Sequence, residues 1–371
     1  MNTQTTSEPN RPLNKLLRSR LVSRLSFPHG VDAYLQAVNP LWSATEVRAE
    51  LVDIRSQTSD TVTVRLKPNS NWQGFAPGQF VQLTVEIDGV LHTRCYSPAS
   101  SAHQGKLIEL SCKIGPSSKV SRYLRDEARV GQIVTLSQAA GSFALPAERP
   151  ERIVLISGGS GITPVMSMLR SLCEEGHTGP ISFLHYCNSP RNQLYARELE
   201  DIASRHANVQ LLRAYAEAGH AGELQGLFSA AQLSQAVPGY AQAQTFLCGP
   251  PGMMQAVQQA YDEAGLSEQL HLEHFSAPAI SLPESDSAEG EVRFARSERL
   301  IANSGESLLE QAEAAGLKPQ AGCRMGICYS CTCRKSAGQV RDLRTGQISE
   351  AGEADIQICV SVPVGTVVLD I

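Results

Sequence analysis

The stretch RIVLISGGSGITPVMSMLRSLCEEG, residues 152–176, decides how the rest of the chain is read. A short apolar run of strand character meets glycines at 158, 159 and 161, and a segment of helical spacing follows. Such glycines let a backbone approach a pyrophosphate. Pro164 suits the first turn of a helix, whose N-terminus then faces anionic phosphate. A glycine loop alone barely separates a nucleotide site from an ordinary turn; the strand before it and the helix after it shift the balance to a nucleotide. The pattern repeats: ISFLHYC precedes LYARELEDIASRH, and AQTFLCGP precedes GMMQAVQQAYDEAG. Strands alternating with helices over residues 151–276 predict a parallel sheet wrapped by helices. CGPPGMM (248–254) places Cys248, Gly249 and Pro250 beyond the end of a strand, where ligands bind in such sheets. On spacing alone, a tight turn with a buried thiol explains it equally well.

Upstream, residues 46–148 change character. Short alternating runs such as RAELVDIRS, TVTVRLKP and QFVQLTVEID are separated by turn residues. They predict an antiparallel Greek-key barrel. Inside it lies RCYS (94–97), in which Arg94 suits a phosphate, Tyr96 a stacked ring and Ser97 a ring nitrogen. Four residues alone read equally as a strand end. Downstream, residues 277–288 are rich in Ser, Pro and acid and read as a linker. Residues 289–371 form a third unit.

Composition narrows the classes. A chain of 371 residues accommodates two or three domains. A net charge of -5 gives no ground for nucleic acid as partner. No apolar run reaches the ~18 residues of a membrane span, and the polar start MNTQTTSEPNRPLNK carries no leader-like apolar core. The expected location is the cytoplasm, with the ten cysteines as thiols or metal ligands rather than disulfides. Residues 1–45 read as an extension. Leu13, Leu16, Leu17, Leu21 and Leu25 stand at helical spacing among basic residues. That suits a peripheral contact with the inner face of a membrane, or an arm packed on the chain's own next domain. The second is favoured, because Arg20 and Arg24 interrupt the apolar face.

Cys323, Cys328, Cys331 and Cys359 follow the pattern C-x4-C-x2-C with a distant fourth cysteine. That is the plant-type [2Fe–2S] spacing: a tight loop supplies three thiolates and a later strand the fourth. Zinc, which more often takes two short CxxC pairs, is the rival. Cys333 falls outside the pattern.

RCYS in a barrel, GGSGITP, and CGPPGMM stand in the order and spacing of the ferredoxin-NADP reductase superfamily, which the chain resembles over about residues 46–276. The last unit, with CRMGICYSC, resembles a plant-type ferredoxin domain of β-grasp fold. The resemblance implies FAD, or less readily FMN, in the barrel, held by Arg94, Tyr96, Ser97, Lys113, Val120 and Ser121. It implies a nicotinamide nucleotide on Gly158, Gly159, Gly161, Thr163 and Pro164. Cys248 and Gly249, followed by Pro250, bring the nicotinamide to the flavin, and Glu273 and Phe275 approach the flavin edge. Ser97, Cys248 and Glu273 are then the candidates nearest the hydride transfer. Arg191 suits the 2′-phosphate of NADPH; Glu217, where relatives often carry a Ser-Arg pair, leaves NADH open. The domain order implies a terminal acceptor protein. CRMGIC, VRDLRTG and the N-terminal extension resemble reductases that serve membrane acyl-CoA desaturases; a ring-hydroxylating or demethylating oxygenase, or a redox-sensing role, are the alternatives.

Overall fold

The computed structural model describes residues 30–371 apart from 105, 116, 117, 218, 276–288, 323, 325, 327 and 328. The helix expected over Leu13–Leu25 and the linker expected over 277–288 therefore lie outside the described residues. A short helix that the sequence reading did not anticipate, α1 (Gly30–Val38), comes first and buries none of its residues. It is tied down by polar contacts. The Asp32 carboxylate accepts from the Ala44 amide and from the Ser43 and Thr45 hydroxyls at 2.6–2.9 Å. The Asn69 and Asn71 side chains donate to the carbonyls of Leu41, Ser43 and Glu46. Residues 39–46 are thus stitched onto the following barrel.

That barrel is formed by β1 (Val47–Thr58), β2 (Thr61–Pro68), β3 (Val81–Ile87), β4 (Val90–Tyr96), β5 (Ile108–Lys113) and β6 (Ile133–Leu136). The order is β4-β3-β6-β1-β2-β5, with antiparallel pairing throughout. A bridge between Pro98 and Leu110 joins the two edges. The period-two pattern explains the closure: Val81, Leu83 and Val85 point inward with Val47, Ala49 and Leu51, while Gln82 and Thr84 face out. Helix α2 (Lys119–Asp126) plugs one end with Val120 and Leu124.

The second sheet is parallel: β7 (Ile153–Gly158), β8 (Ile181–Cys187), β9 (Val209–Tyr215), β10 (Gln244–Cys248) and β11 (Leu270–Glu273), in the order β11-β10-β7-β8-β9. All seven positions of β8 are buried, as expected of a strand covered on both faces. Helices α3 (Ile162–Glu174) and α4 (Ala196–Arg205) pack on one face, and α5 (Ala230–Ala236) and α6 (Pro251–Glu263) on the other.

The third sheet is mixed, with β12 (Glu291–Phe294), β13 (Arg299–Ala302), β14 (Thr332–Asp342), β15 (Ala354–Gln357) and β16 (Ser361–Leu369) in the order β13-β12-β16-β14-β15. Its parallel pair is β12–β16. Helix α7 (Leu308–Ala314) buries Leu308, Leu309 and Ala312 against it and opens with a capping box of Ser307 and Glu310. Lys335 is fully buried, and its ammonium donates to the carbonyls of Gly338, Glu350 and Gly352. This is the β-grasp arrangement.

Candidate functional site

The RCYS segment ends β4 and opens onto a recess of about 190 Å³ between the barrel and the parallel sheet. The recess brings together Tyr96, Ser97 and Lys113 from the barrel with Thr163, Glu273 and Phe275 from beyond it. Residues more than a hundred positions apart converge because β4, β5, the α3 N-terminus and the end of β11 meet at this point. Phe80, Cys95, Ser111 and Ser160 line it as well; sequence reasoning missed all four. Strand alternation alone does not say which barrel residue abuts the second sheet.

The remaining candidates are arranged around the recess. Arg94 lies one residue before Cys95 on β4 and donates to the Thr93 carbonyl. Val120 is buried in the barrel core, which leaves only its backbone to meet a ligand. The Ser121 hydroxyl is 3.2 Å from that of Tyr96. Burial drives the Tyr96 phenol well above its ordinary value, so it stays neutral. The Ser97 Oγ is buried without a protein partner. A buried hydroxyl at the wall of a recess, unsatisfied by the chain, suits a polar atom of a ligand. Together with three aromatic rings and the Lys113 side chain at the recess, this donor set fits a flavin.

The glycine loop forms a turn over Gly159–Gly161 between β7 and α3. Gly159 has φ +52, in the left-handed region that glycine tolerates. Gly161 and Gly158 are required for another reason. A Cβ on Gly161 would overlap the Cys248 carbonyl, and one on Gly158 would lie 2.5 Å from Pro250 Cδ. The two nucleotide motifs are thus packed backbone on backbone, with Pro250 as the N-cap of α6. Thr163 and Pro164 are buried in the first turn of α3. Cys248 is wholly buried, and its thiol is pushed well up, first by burial and then by the charge of Glu273, its neighbour across β10–β11. It does not line the recess, so access to it requires movement of the chain around it. Arg191 sits exposed in the turn Pro190–Asn192, and Glu217 lies 3.8 Å from His220.

Of the four expected cluster ligands, Cys323 and Cys328 lie outside the described residues. Cys331 and Cys359 are 28 positions apart yet their sulfurs are 3.1 Å apart and buried. Among the described residues no group of three or more metal-ligating side chains forms. Gly326 takes φ +74, and its Cα faces Val360 and the Arg344 side chain, which donates to the Gly326 carbonyl at 2.6 Å. Gly326 is thereby held against Val360, the residue after Cys359. Two converging buried thiols, with Gly326 held against Val360 next to Cys359, suit a thiolate-held cluster. Cys333 is half-buried on β14 and lies outside this pair. Ser330, next to Cys331, accepts a 3.4 Å hydrogen bond from Gln82 of β3, and Gln82 stands opposite Cys95 across β3–β4. Ser330, and Cys331 after it, therefore lie beside the recess.

Comparison with known proteins agrees with this layout. Residues 48–145 match the family described as oxidoreductase FAD-binding domain, 155–259 the oxidoreductase NAD-binding domain, and 293–364 the 2Fe-2S iron-sulfur cluster binding domain. The chain is 36% identical to an NADPH oxidoreductase of Mycobacterium tuberculosis over 95% of its own length and 91% of that protein. It is 32% identical to the glycine betaine monooxygenase reductase subunit of Chromohalobacter salexigens, over 80% and 87% respectively. The solved structure of phthalate dioxygenase reductase superposes with a TM-score of 0.61, covering 88% of this chain and 98% of that one at 22% identity. That likeness is one of fold.

Proposed function

The chain belongs to the ferredoxin-NADP reductase superfamily, in the form that carries a C-terminal plant-type [2Fe–2S] domain, and from that membership we propose that it draws electrons from NADPH and delivers them to an oxygenase-type enzyme. It is an NAD(P)H-dependent oxidoreductase with FAD and a [2Fe–2S] cluster as its cofactors. The observation that carries the proposal is the contact of Ser330, next to Cys331, with Gln82 beside the recess. A flavin supplies the exchange between a two-electron hydride donor and a one-electron cluster, and the contact of Ser330 with Gln82 supports a short path between them.

In this reading the units are 46–148, 151–276 and 289–371. Tyr96 and Phe275 flank the flavin ring, Ser97 offers its unsatisfied hydroxyl to a ring nitrogen, and Arg94, Lys113, Val120 and Ser121 hold the ribityl and phosphate side. The backbone at Gly158, Gly159 and Gly161, with Thr163 and Pro164, takes the nucleotide pyrophosphate. Cys248, Gly249 and Pro250 form the wall of the nicotinamide site, and Glu273 holds charge at the flavin edge. Arg191 meets the 2′-phosphate, which favours NADPH; the name of the M. tuberculosis relative supports the same choice. Cys323, Cys328, Cys331 and Cys359 hold the cluster.

The acceptor is read as an oxygenase because the betaine relative is a monooxygenase reductase subunit. A membrane acyl-CoA desaturase, reached through a peripheral contact of the N-terminal arm, is the second reading. It rests on CRMGIC, VRDLRTG and the extension; the match over 95% of the chain to the M. tuberculosis protein takes in part of that extension. No helix among the described residues is long and apolar enough to cross a membrane. The test of the electron path is Cys359→Ser. NADPH-dependent cytochrome c reduction should be lost along with the cluster's electron paramagnetic resonance signal, while ferricyanide reduction persists. If cytochrome c reduction survives loss of the signal, the cluster is not on the path. Deleting the gene in its host separates the acceptors: loss of monounsaturated acyl chains favours the desaturase, and an unchanged profile with lost growth on methylated or aromatic substrates favours the oxygenase.

A further inference from the structure

Tyr195 precedes α4 in the parallel-sheet unit with φ +57, a left-handed conformation that is unfavourable for a bulky residue. It is buried nonetheless, and its hydroxyl crosses to the barrel. Tyr195 Oη lies 2.6 Å from Ser111 Oγ, and Ser111 Oγ lies 2.6 Å from Thr63 Oγ1, which reaches Gln57 Oε1 at 3.5 Å. The Arg170 guanidinium sits 4.9 Å from the centre of the Tyr195 ring and holds it from behind. Ser111 lines the recess assigned to the flavin.

Counting protons gives the chain of hydroxyls a direction. Each hydroxyl carries one proton, and the Gln57 carbonyl oxygen only accepts. The arrangement that satisfies every proton has Thr63 donating to Gln57 over the longest link, 3.5 Å, Ser111 donating to Thr63, and Tyr195, whose hydroxyl meets Ser111 alone among the described hydrogen bonds, donating to Ser111. Burial holds the Tyr195 phenol far above its ordinary value, so it remains a donor at any working pH. The Ser111 proton is committed, and its remaining lone pair is what the recess sees.

We propose that Tyr195 is a positioning residue for the flavin: it fixes the Ser111 hydroxyl as a hydrogen-bond acceptor at the recess wall, matched to a donor on the cofactor such as the ring N–H or a ribityl hydroxyl. The inference rests on the assignment of the recess to FAD. It makes flavin binding depend on closure of the parallel-sheet unit onto the barrel, since the strut comes from one unit and the acceptor from the other. The strain at Tyr195 is then offset by the contacts it makes across the interface.

The experiment is a titration of the deflavinated full-length protein with FAD, followed by flavin fluorescence, on Tyr195→Phe, Ser111→Ala and the double variant. Tyr195→Phe removes one oxygen atom and should raise the Kd about tenfold and shift the absorbance bands of the bound flavin. Ser111→Ala should do at least as much, and the double variant no more than Ser111→Ala. Tyr261→Phe serves as control: it deletes an equivalent buried bond, 2.7 Å to Thr245, on the other face of the parallel sheet. A parental Kd in Tyr195→Phe, or equal weakening in Tyr261→Phe, overturns the proposal. Failure of the parent protein to bind FAD overturns the flavin assignment instead.

Discussion

Replacing Arg170 with Met tests how the barrel and the parallel-sheet unit are held together. Arg170 lies on α3 with its side chain 13% exposed and makes four polar contacts. It donates to the Ala99 carbonyl at 2.6 Å, to Glu109 at 2.9 Å, and to both Glu198 oxygens at 2.7 and 2.6 Å. Breaking a buried pair costs about 3–5 kcal/mol when the remaining charge is stranded. Glu109 is not stranded, because Arg55 at 2.9 Å and Arg65 at 3.1 Å remain. Glu198 is 40% exposed and regains water, so its loss counts for little. The orphaned Ala99 carbonyl and the lost contact with the Tyr195 ring add roughly 1 kcal/mol each, and the Met side chain keeps part of the packing. The expected loss is about 2 kcal/mol, read from urea unfolding followed by tryptophan fluorescence. The pH dependence gives a second reading. Burial pushes the Glu109 carboxyl up, but Arg170, Arg65 and Arg55 outweigh it and hold it below its ordinary value of 4.5. A carboxylate lowered in the folded state stabilises the protein above that ordinary value, and the contribution disappears as pH falls through the lowered one. The variant should therefore lose stability less steeply than the parent below pH 4.5. A loss under about 1 kcal/mol at pH 7, with an unchanged acid slope, would refute the reasoning.

Two further outcomes follow from the nucleotide site. Gly161→Ala drives a methyl group into the Cys248 backbone, so the two nucleotide motifs must move apart; the KM for NADPH should rise at least tenfold while ferricyanide reduction at saturating NADPH falls, and parental kinetics would remove the close packing from the explanation. Arg191→Ala should raise the KM for NADPH about tenfold and leave that for NADH within twofold; an equal change for both would show that Arg191 does not meet the 2′-phosphate.

Much of this layout was legible because each unit carries a local signal. The strand, glycine loop and helix over 152–176 are consecutive in the chain, and three of the four cysteines proposed as ligands stand within nine residues, Cys323 to Cys331. The capping box at Ser307 was equally local and went unread. Helix α1 escaped for a different reason: it buries nothing, and the Asp32 contacts that hold it reach to Ser43, Ala44 and Thr45. Among the site residues, Tyr96, Ser97 and Glu273 followed from the resemblance, whereas Cys95, Ser111 and Tyr195 did not. Alternation puts residues on one face or the other of a strand but not opposite a particular neighbour.

The sequence by itself determined the three folds, their order and the iron–sulfur class of the last unit, because periodicity and cysteine spacing act over a few residues. Only the tertiary structure decided what those units share. It set the Cys331 and Cys359 sulfurs 3.1 Å apart, placed Ser330 against Gln82, and carried the Tyr195 hydroxyl to Ser111. Each of these contacts joins positions between 28 and 248 residues apart. Their partners are chosen by how cores pack and sheets meet, and no local pattern of side chains encodes that choice.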